Sequence, residues 1–328
     1  MIVLKDPIYQ TITWQGKAAN KAVLDQAVQA LYSSEHAWHA PNREHLLETW
    51  RSEILSEREM LTKILCSSLG LSQPDARYWL DGLSKPFLPL PKQGPVLILN
   101  ELIDSDCFHL ALSNLLAGNP VLLVCTAHLM PILTQLTKTL PSACPFQLHM
   151  LETLAQETWG NYPFAALYCY AQDASAREVH RTISGRYDLP CDFQVPHWKT
   201  LLLEPAANLK KNLVEAYRYN GQSFHAKRCS QVRTAGDLKL VLEEIKKLRI
   251  AAYDAQPAPD LVSQYSVCAA ALFLDQMKHL PKSAVVHLAP KRLLQGTGMV
   301  TPGLISLAAQ DLLKLPMISG PLLVLIER

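Results

Sequence analysis

Apolar residues recur at helical spacing over the first 69 residues of the chain. An apolar stripe along residues 17–33 predicts an amphipathic helix, and a second stripe runs through 42–69. Ser56 and Glu59 have the spacing of a capping box, so the second stripe predicts either one long helix or two. The proline-rich run 85–95 cannot be helical and predicts an extended connector.

After residue 95 short apolar runs alternate with helical segments. The apolar runs, bounded by Pro and Gly, are 96–100, 121–125, 146–151 and 164–170. Runs of this length and composition are typical of strands that are buried on both faces. Their alternation with helices predicts a parallel, doubly wound sheet.

A second α/β block begins near residue 199. Amphipathic helices are predicted at 207–219 and 237–250, and buried strands at 283–289 and 321–327. We therefore predict two domains. Residues 1–195 form a doubly wound parallel-sheet domain with N-terminal helices, and residues 196–328 form a smaller α/β domain.

Composition and charge exclude several classes of protein. About half of the 328 residues (49%) are apolar, and the net charge is only +2, so no global field recruits nucleic acid or an acidic membrane. Eight cysteines occur without a Cys-x-x-Cys pair, which predicts reduced thiols in a cytoplasmic protein. No apolar stretch reaches the roughly 20 residues of a membrane span.

Two short Cys/His pairs have the spacing of a partial metal site. They are Cys125 with His128, and Cys107 with His109. A zinc site needs a second matching pair, and the sequence offers none, so we predict no metal.

Several stretches, taken in order, resemble segments of the aldehyde dehydrogenase superfamily. The helical start resembles the N-terminal helices of that family. Residues 94–124, with the turn Ala117-Gly118-Asn119, resemble its first strand, helix and second strand. Residues 219–228 resemble the segment that presents the nucleophile, and 296–325 resemble a late strand that leads to an "EIFGPV" element. The resemblance implies an aldehyde dehydrogenase-like α/β fold.

The resemblance also implies a cysteine nucleophile, a glutamate base and an NAD(P) site. The position of the nucleophile, two residues after Gly221-Gln222, holds Phe224. A phenyl ring cannot attack a carbonyl carbon. The neighbouring Ser223 needs a general base, and His225 supplies one only if it turns back.

Cys229 and Asn100 are the remaining catalytic candidates. Lys227 and Arg228 beside Cys229 would lower the pKa of its thiol. An extended chain places that thiol more than about 15 Å from the nucleophile position, and a buried small residue is the simpler interpretation. Asn100 lies near the place of the oxyanion-binding asparagine, but the Pro-Trp-Asn pattern of the family is absent there.

The segment that would supply the base also departs from the family pattern. The Glu-Leu-Gly-Gly-Lys segment of the family corresponds to residues 193–205, where Lys199 matches the lysine. No glutamate precedes Lys199, both glycines are missing, and Asp192 has the wrong offset for a base.

Three cofactor contacts that the resemblance implies are replaced as well. The ribose-binding Lys-Pro-Ser-Glu run is Val124-Cys125-Thr126-Ala127 here. The Gly-Ser pair that approaches the pyrophosphate is Tyr170-Ala171, and the glutamate that holds the nicotinamide ribose is Met317. No Gly-x-Gly-x-x-Gly motif replaces them, so we expect no bound cofactor.

These departures predict a catalytically inactive aldehyde dehydrogenase-like protein. It would bind a protein, or a small molecule in the cleft between its domains. One alternative is an atypical NAD- or NADP-dependent aldehyde or acyl-thioester oxidoreductase that uses Cys229. Another is one part of a split enzyme.

The same comparison of residues bears on assembly. The hairpin that builds the dimer in the family is replaced by the connector 85–95, and the sequence ends at Arg328, directly after a predicted strand. We therefore expect no family-type dimer or tetramer. A protein partner or a closing helix would have to cover the bare sheet edges.

Overall fold

The computed structural model describes residues 1–34, 38, 42–196, 209–221, 229–231, 235–250, 254, 260–261, 264–315, 318 and 320–327. It divides the chain into two compact units. The first comprises Met1–Leu4, Ile12–Ile64 and Arg77–Val195, and the second Lys5–Thr11, Leu65–Ala76 and Pro196–Arg328. No helix in the described ranges is long and apolar enough to cross a membrane.

The chain begins with a hairpin that the sequence analysis did not predict. Its strands are β1 (Ile2–Lys5) and β2 (Ile12–Gly16). The Asp6 carboxylate closes the turn by accepting the backbone N–H groups of Ile8 and Tyr9, each at 2.7 Å.

Four helices follow the hairpin. They are α1 (Lys21–Ser34), α2 (Arg43–Ser56), α3 (Arg58–Leu69) and α4 (Gln73–Leu83). The second apolar stripe therefore forms two helices that part at Glu57. The Ser56 hydroxyl donates to the carbonyl of Glu53 in its own helix instead of capping the next one.

A five-stranded sheet forms the centre of the first unit. Its elements are β3 (Val96–Asn100), α5 (Asp106–Ala117), β4 (Val121–Cys125), α6 (Met130–Thr137), β5 (Phe146–Met150), β6 (Ala166–Tyr170), α7 (Asp173–Thr182) and β7 (Cys191–Gln194). All five strands are parallel, in the order β5-β4-β3-β6-β7. This order is that of a doubly wound sheet, which confirms the predicted fold class. β3 and β4 are buried at every residue.

The second unit contains a four-stranded sheet. Its elements are α8 (Leu209–Ala216), β8 (Cys229–Gln231), α9 (Ala235–Lys247), α10 (Val267–Gln276), β9 (Val285–Leu288), β10 (Gly303–Ala308) and β11 (Leu322–Glu327). The described strands lie in the order β8-β11-β10-β9, and only β9 runs antiparallel. Leu323 and Leu325 of β11 pack with α8 and α9, whereas Leu322 and Val324 pack with Phe273 of α10. Residues 199–205, near which this block was predicted to begin, lie outside the described residues.

One buried asparagine ties the connector to the first sheet. Residues 84–95 join α4 to β3 and contain neither helix nor strand. Asn119 Oδ1 accepts the backbone N–H groups of Gln93 (2.7 Å) and Gly94 (3.2 Å), and its Nδ2 donates to Pro91 O (2.9 Å) and Asn114 Oδ1 (3.0 Å). The Ala117-Gly118-Asn119 turn therefore fixes the point at which the chain enters β3.

Candidate functional site

The order of the first sheet reverses between β3 and β6. Doubly wound sheets bind ligands at the carboxyl ends of the strands beside such a reversal. The last residues of the three central strands, Asn100, Cys125 and Tyr170, stand opposite one another in register. We call these residues, together with Glu101, Thr126, His128 and Gln172, the switch-point site.

Glu101 follows β3 and bonds to the residues at the end of β6 and at the start of α7. Its backbone N–H donates to Tyr170 O at 2.9 Å, and its carboxylate accepts the N–H of Gln172, the residue that precedes α7. Burial raises the pKa of Glu101, while the hydrogen bonds from Gln172 and Ser175 lower it. The amino end of a helix attracts negative charge. The carboxylate therefore lies where such a helix end would hold a phosphate.

Asn100 is engaged inside the protein. Its Nδ2 donates to Cys107 Sγ at 2.7 Å, its Oδ1 accepts the N–H of Leu102 at 3.0 Å, and the residue is 1% exposed. Burial raises the pKa of the Cys107 thiol, so this sulfur is held as an uncharged acceptor. Both polar atoms of the Asn100 side chain thus stabilise the turn after β3.

A neutral histidine follows β4, near where the resemblance places charged ribose contacts. Burial lowers the pKa of His128 to about 4, so its imidazole is uncharged at neutral pH. Its Nε2 donates to Glu101 O at 3.1 Å, which leaves Nδ1 to accept the hydroxyl of Thr126 at 3.2 Å. Thr126 and His128 therefore bond to each other and to the turn after β3.

Tyr170 is the last residue of β6, and Ala171 follows it. Tyr170 is partly buried, and burial raises the pKa of its phenol. Ala171 is fully buried, and its N–H donates to Gln194 O of β7 at 3.2 Å. The backbone N–H at the second position of the implied Gly-Ser pair is thus already bonded. Asp192 lies on β7, where its carboxylate accepts the amide of Gln194.

Most candidates for the nucleophile, and two candidates from the base and cofactor segments, lie outside the described residues. This holds for Lys199, Ser223, Phe224, His225 and Met317. Cys229 is the first residue of β8 and stands opposite Val324 of β11. Its role, like that of Asn100, stays a prediction.

A buried carboxylate in the second unit, that of Asp75, bonds to the backbone at the first residue of the nucleophile segment. Tyr219 adopts a left-handed conformation (φ 51°), and its N–H donates to Asp75 Oδ2 at 3.1 Å. Arg218 pairs with Asp75 at 3.4 Å and also with Glu215. Burial raises the pKa of Asp75 to about 6 and outweighs the opposite effect of Arg218. Neither Asp75 nor Glu101 is among the residues predicted from the sequence.

The two Cys/His pairs have other partners. Cys125 Sγ contacts Met130 Sδ at 3.5 Å, and His109 Nε2 lies 3.2 Å and 3.1 Å from the carbonyl oxygens of Lys85 and Pro86. Within the described residues, no three His, Cys, Asp or Glu side chains gather as metal ligands. The seven cysteines whose side chains are described are free thiols.

Comparison with known proteins gives no match at the level of sequence families. No family model matches the chain, and no curated protein matches it. Comparison of structures gives clear matches that cover 100% of this chain.

Three solved structures illustrate the likeness. An aldehyde dehydrogenase from Brucella melitensis biovar abortus 2308 matches with a TM-score of 0.82 and 15% identity over 76% of its chain. An NAD-dependent benzaldehyde dehydrogenase from Corynebacterium glutamicum matches with a TM-score of 0.79 and 14% identity over 80% of its chain. A betaine aldehyde dehydrogenase from Staphylococcus aureus, solved in complex with NAD+, matches with a TM-score of 0.80 and 11% identity over 75% of its chain.

The structural likeness and the sheet order agree with the resemblance found in the sequence. TM-scores of 0.79–0.82 over the whole chain establish the architecture. Sequence identities of only 11–15% leave the chemistry open. The chain has the aldehyde dehydrogenase fold.

Proposed function

We propose that this protein is a catalytically inactive aldehyde dehydrogenase-like protein that acts in the cytoplasm by binding another protein or a small molecule. The observation that carries the proposal is the Glu101 carboxylate at the amino end of α7. The engaged residues Thr126, His128 and Ala171 support it, because they present no charged or unbonded group for a nucleotide.

Electrostatics indicates how strongly Glu101 opposes a dinucleotide. Two unit charges 4 Å apart repel by about 4 kcal/mol at an effective dielectric constant of 20. The end of a helix offers an anion at most about 2 kcal/mol. The repulsion between the Glu101 carboxylate and a pyrophosphate therefore exceeds the stabilisation that the amino end of α7 offers to an anion. We expect the site not to bind the cofactor.

Calorimetric titration with NAD and with NADP tests this proposal. We expect no saturable binding by the wild-type protein up to about 1 mM, a dissociation constant that corresponds to about −4 kcal/mol. Glu101→Gln removes the charge and keeps the size of the side chain, so this variant is expected to bind inorganic pyrophosphate about tenfold or more tighter than the wild type.

The matched control for this titration is Glu152→Gln, which removes an exposed carboxylate from the same unit. It is expected to leave pyrophosphate binding unchanged. Micromolar binding of NAD or NADP by the wild type contradicts the proposal. Equal pyrophosphate affinity of the wild type and Glu101→Gln shows that the charge of Glu101 does not weaken anion binding at this site.

The second candidate function is an oxidoreductase that uses Cys229. The observation in its favour is the fold shared with NAD-dependent dehydrogenases, one of them solved with NAD+. A catalytic thiol is a thiolate at neutral pH and reacts fast with electrophiles. The exposed thiols Cys191 and Cys268 provide internal references for reactivity.

Thiol labelling followed by mass spectrometry separates the two functions. For an inactive protein, Cys229 is expected to react no faster than Cys191 or Cys268. Labelling about tenfold faster, together with aldehyde-dependent NADH formation that Cys229→Ala abolishes, favours the oxidoreductase.

A further inference from the structure

Strand β9 lies at one edge of the second sheet, in the order β8-β11-β10-β9. Among the described strands, β9 pairs with β10 alone. A strand at the edge of a sheet carries backbone N–H and C=O groups that can pair with a further chain. This edge is therefore available, within the described part of the molecule, for the addition of a strand.

Aliphatic side chains are exposed at this edge. Val285 and Val286 are consecutive residues of β9, and they are 52% and 46% exposed. Because consecutive residues of a strand point to opposite faces of a sheet, both faces of the sheet are open at β9. Leu293 and Leu294, in the loop that leads from β9 to β10, are 45% and 55% exposed. An added strand would cover part of this apolar surface.

The chain around β9 is positively charged. Residues 276–310 contain four Lys or Arg and no Asp or Glu, a formal charge of +4. Aspartates bound this stretch at both ends, and one of them, Asp311, accepts a hydrogen bond from Ser283 and pairs with Lys314. Lys278 pairs with Asp275, and Arg292 donates to the carbonyls of Thr297 and Val267. Lys282 and Lys291 are exposed and have no ion pair with any described residue. These two lysines flank β9 at a distance of three residues on each side.

We propose that β9 is a docking site for an extended acidic segment of another protein, which adds to the sheet as a strand. Backbone pairing supplies the affinity in this mode of recognition, and side chains of alternate residues supply the specificity. The occupant has aliphatic side chains that cover Val285 and Val286, and acidic side chains at both ends that meet Lys282 and Lys291.

The composition of the region favours a peptide over a nucleic acid. Binding of single-stranded nucleic acid combines a cationic groove with aromatic side chains on which bases stack. Residues 276–310 contain no Phe, Trp or Tyr. The proposal does not depend on the loss of catalysis, since it rests on an edge strand of the second unit and not on the switch-point site.

Fluorescence anisotropy with the full-length protein tests the proposal. The probe is a labelled peptide of about ten residues, the number from Lys282 to Lys291, with alternating Val and Thr and with Glu at both ends. We expect it to bind about tenfold or more tighter than a counterpart with Lys at both ends, in about 50 mM salt. A version with central proline is expected not to bind, because proline cannot donate to the strand pairing.

Charge reversal gives the decisive comparison. The variant K282E/K291E is expected to prefer the Lys-ended peptide, and this inversion also shows that the variant is folded. The control K63E/K138E reverses two exposed lysines of the first unit and is expected to keep the wild-type preference.

Three outcomes overturn the proposal. The first is equal binding, or no binding, of the two peptides by the wild type. The second is binding of a single-stranded oligonucleotide through the same lysines. The third is self-association of K282A/K291A without peptide binding. That result would show that the two lysines prevent β9 from pairing with a second copy of the chain.

Discussion

Replacement of Asn119 by alanine is expected to lower the free energy of unfolding of the first unit by about 4 kcal/mol. Asn119 is fully buried and makes four hydrogen bonds, two of them from the backbone N–H groups of Gln93 and Gly94. Each buried polar group left without a partner costs about 1–3 kcal/mol. Alanine supplies no replacement, so the buried groups Gly94 N–H and Asn114 Oδ1 lose their partner, whereas the exposed residues Pro91 and Gln93 can bond to water.

Urea denaturation monitored by tryptophan fluorescence measures this change. The control is Asn161→Ala, because Asn161 is exposed and its replacement is expected to change stability by less than about 0.5 kcal/mol. A loss below about 1 kcal/mol for Asn119→Ala would show that the connector is not held by this side chain.

The second large effect is a dependence of stability on pH that Asp75 produces. Its pKa is about 6 in the folded protein, against an ordinary value of 3.8 for an aspartate. Between these values the folded state binds more protons than the unfolded state, so the contribution of Asp75 to stability falls as pH rises from about 4 to about 6. The shift corresponds to at most about 3 kcal/mol.

The variant Asp75→Asn removes this titration and keeps an oxygen that accepts the N–H of Tyr219. Relative to the wild type, the variant is expected to gain up to about 3 kcal/mol in the free energy of unfolding between pH 4 and pH 7. Chemical denaturation at a series of pH values gives the difference. The control Asp173→Asn removes an exposed carboxylate that pairs with Arg177, and it is expected to follow the wild type within about 0.5 kcal/mol. A constant difference between Asp75→Asn and the wild type across the range contradicts this assignment.

The central strands are predictable from sequence for a simple physical reason. β3 and β4 are buried on both faces, so they consist of uninterrupted apolar residues, and turns bound them. The hairpin β1–β2 is not predictable in this way, because its strands are short and partly exposed. A side chain, Asp6, closes its turn in place of a Gly or Asn pair.

The candidate site is only partly readable from sequence. Substitutions such as Tyr170 and Thr126 are visible because they can be compared with a family pattern. The roles of Glu101 and Asp75 are not visible, since each depends on a partner far along the chain, Gln172 and Arg218 respectively. The division into domains 1–195 and 196–328 remains a prediction from the sequence.

The Glu101 carboxylate at the start of α7 has a consequence for how this protein behaves in a cell. Enzymes of doubly wound fold gain stability when their coenzyme binds, by an amount that follows its concentration. Under the function proposed above, a helix end that the carboxylate of Glu101 already neutralises gains nothing from that supply. The melting temperature of this protein should therefore be the same in starved and well-fed cells, whatever the level of pyridine nucleotide.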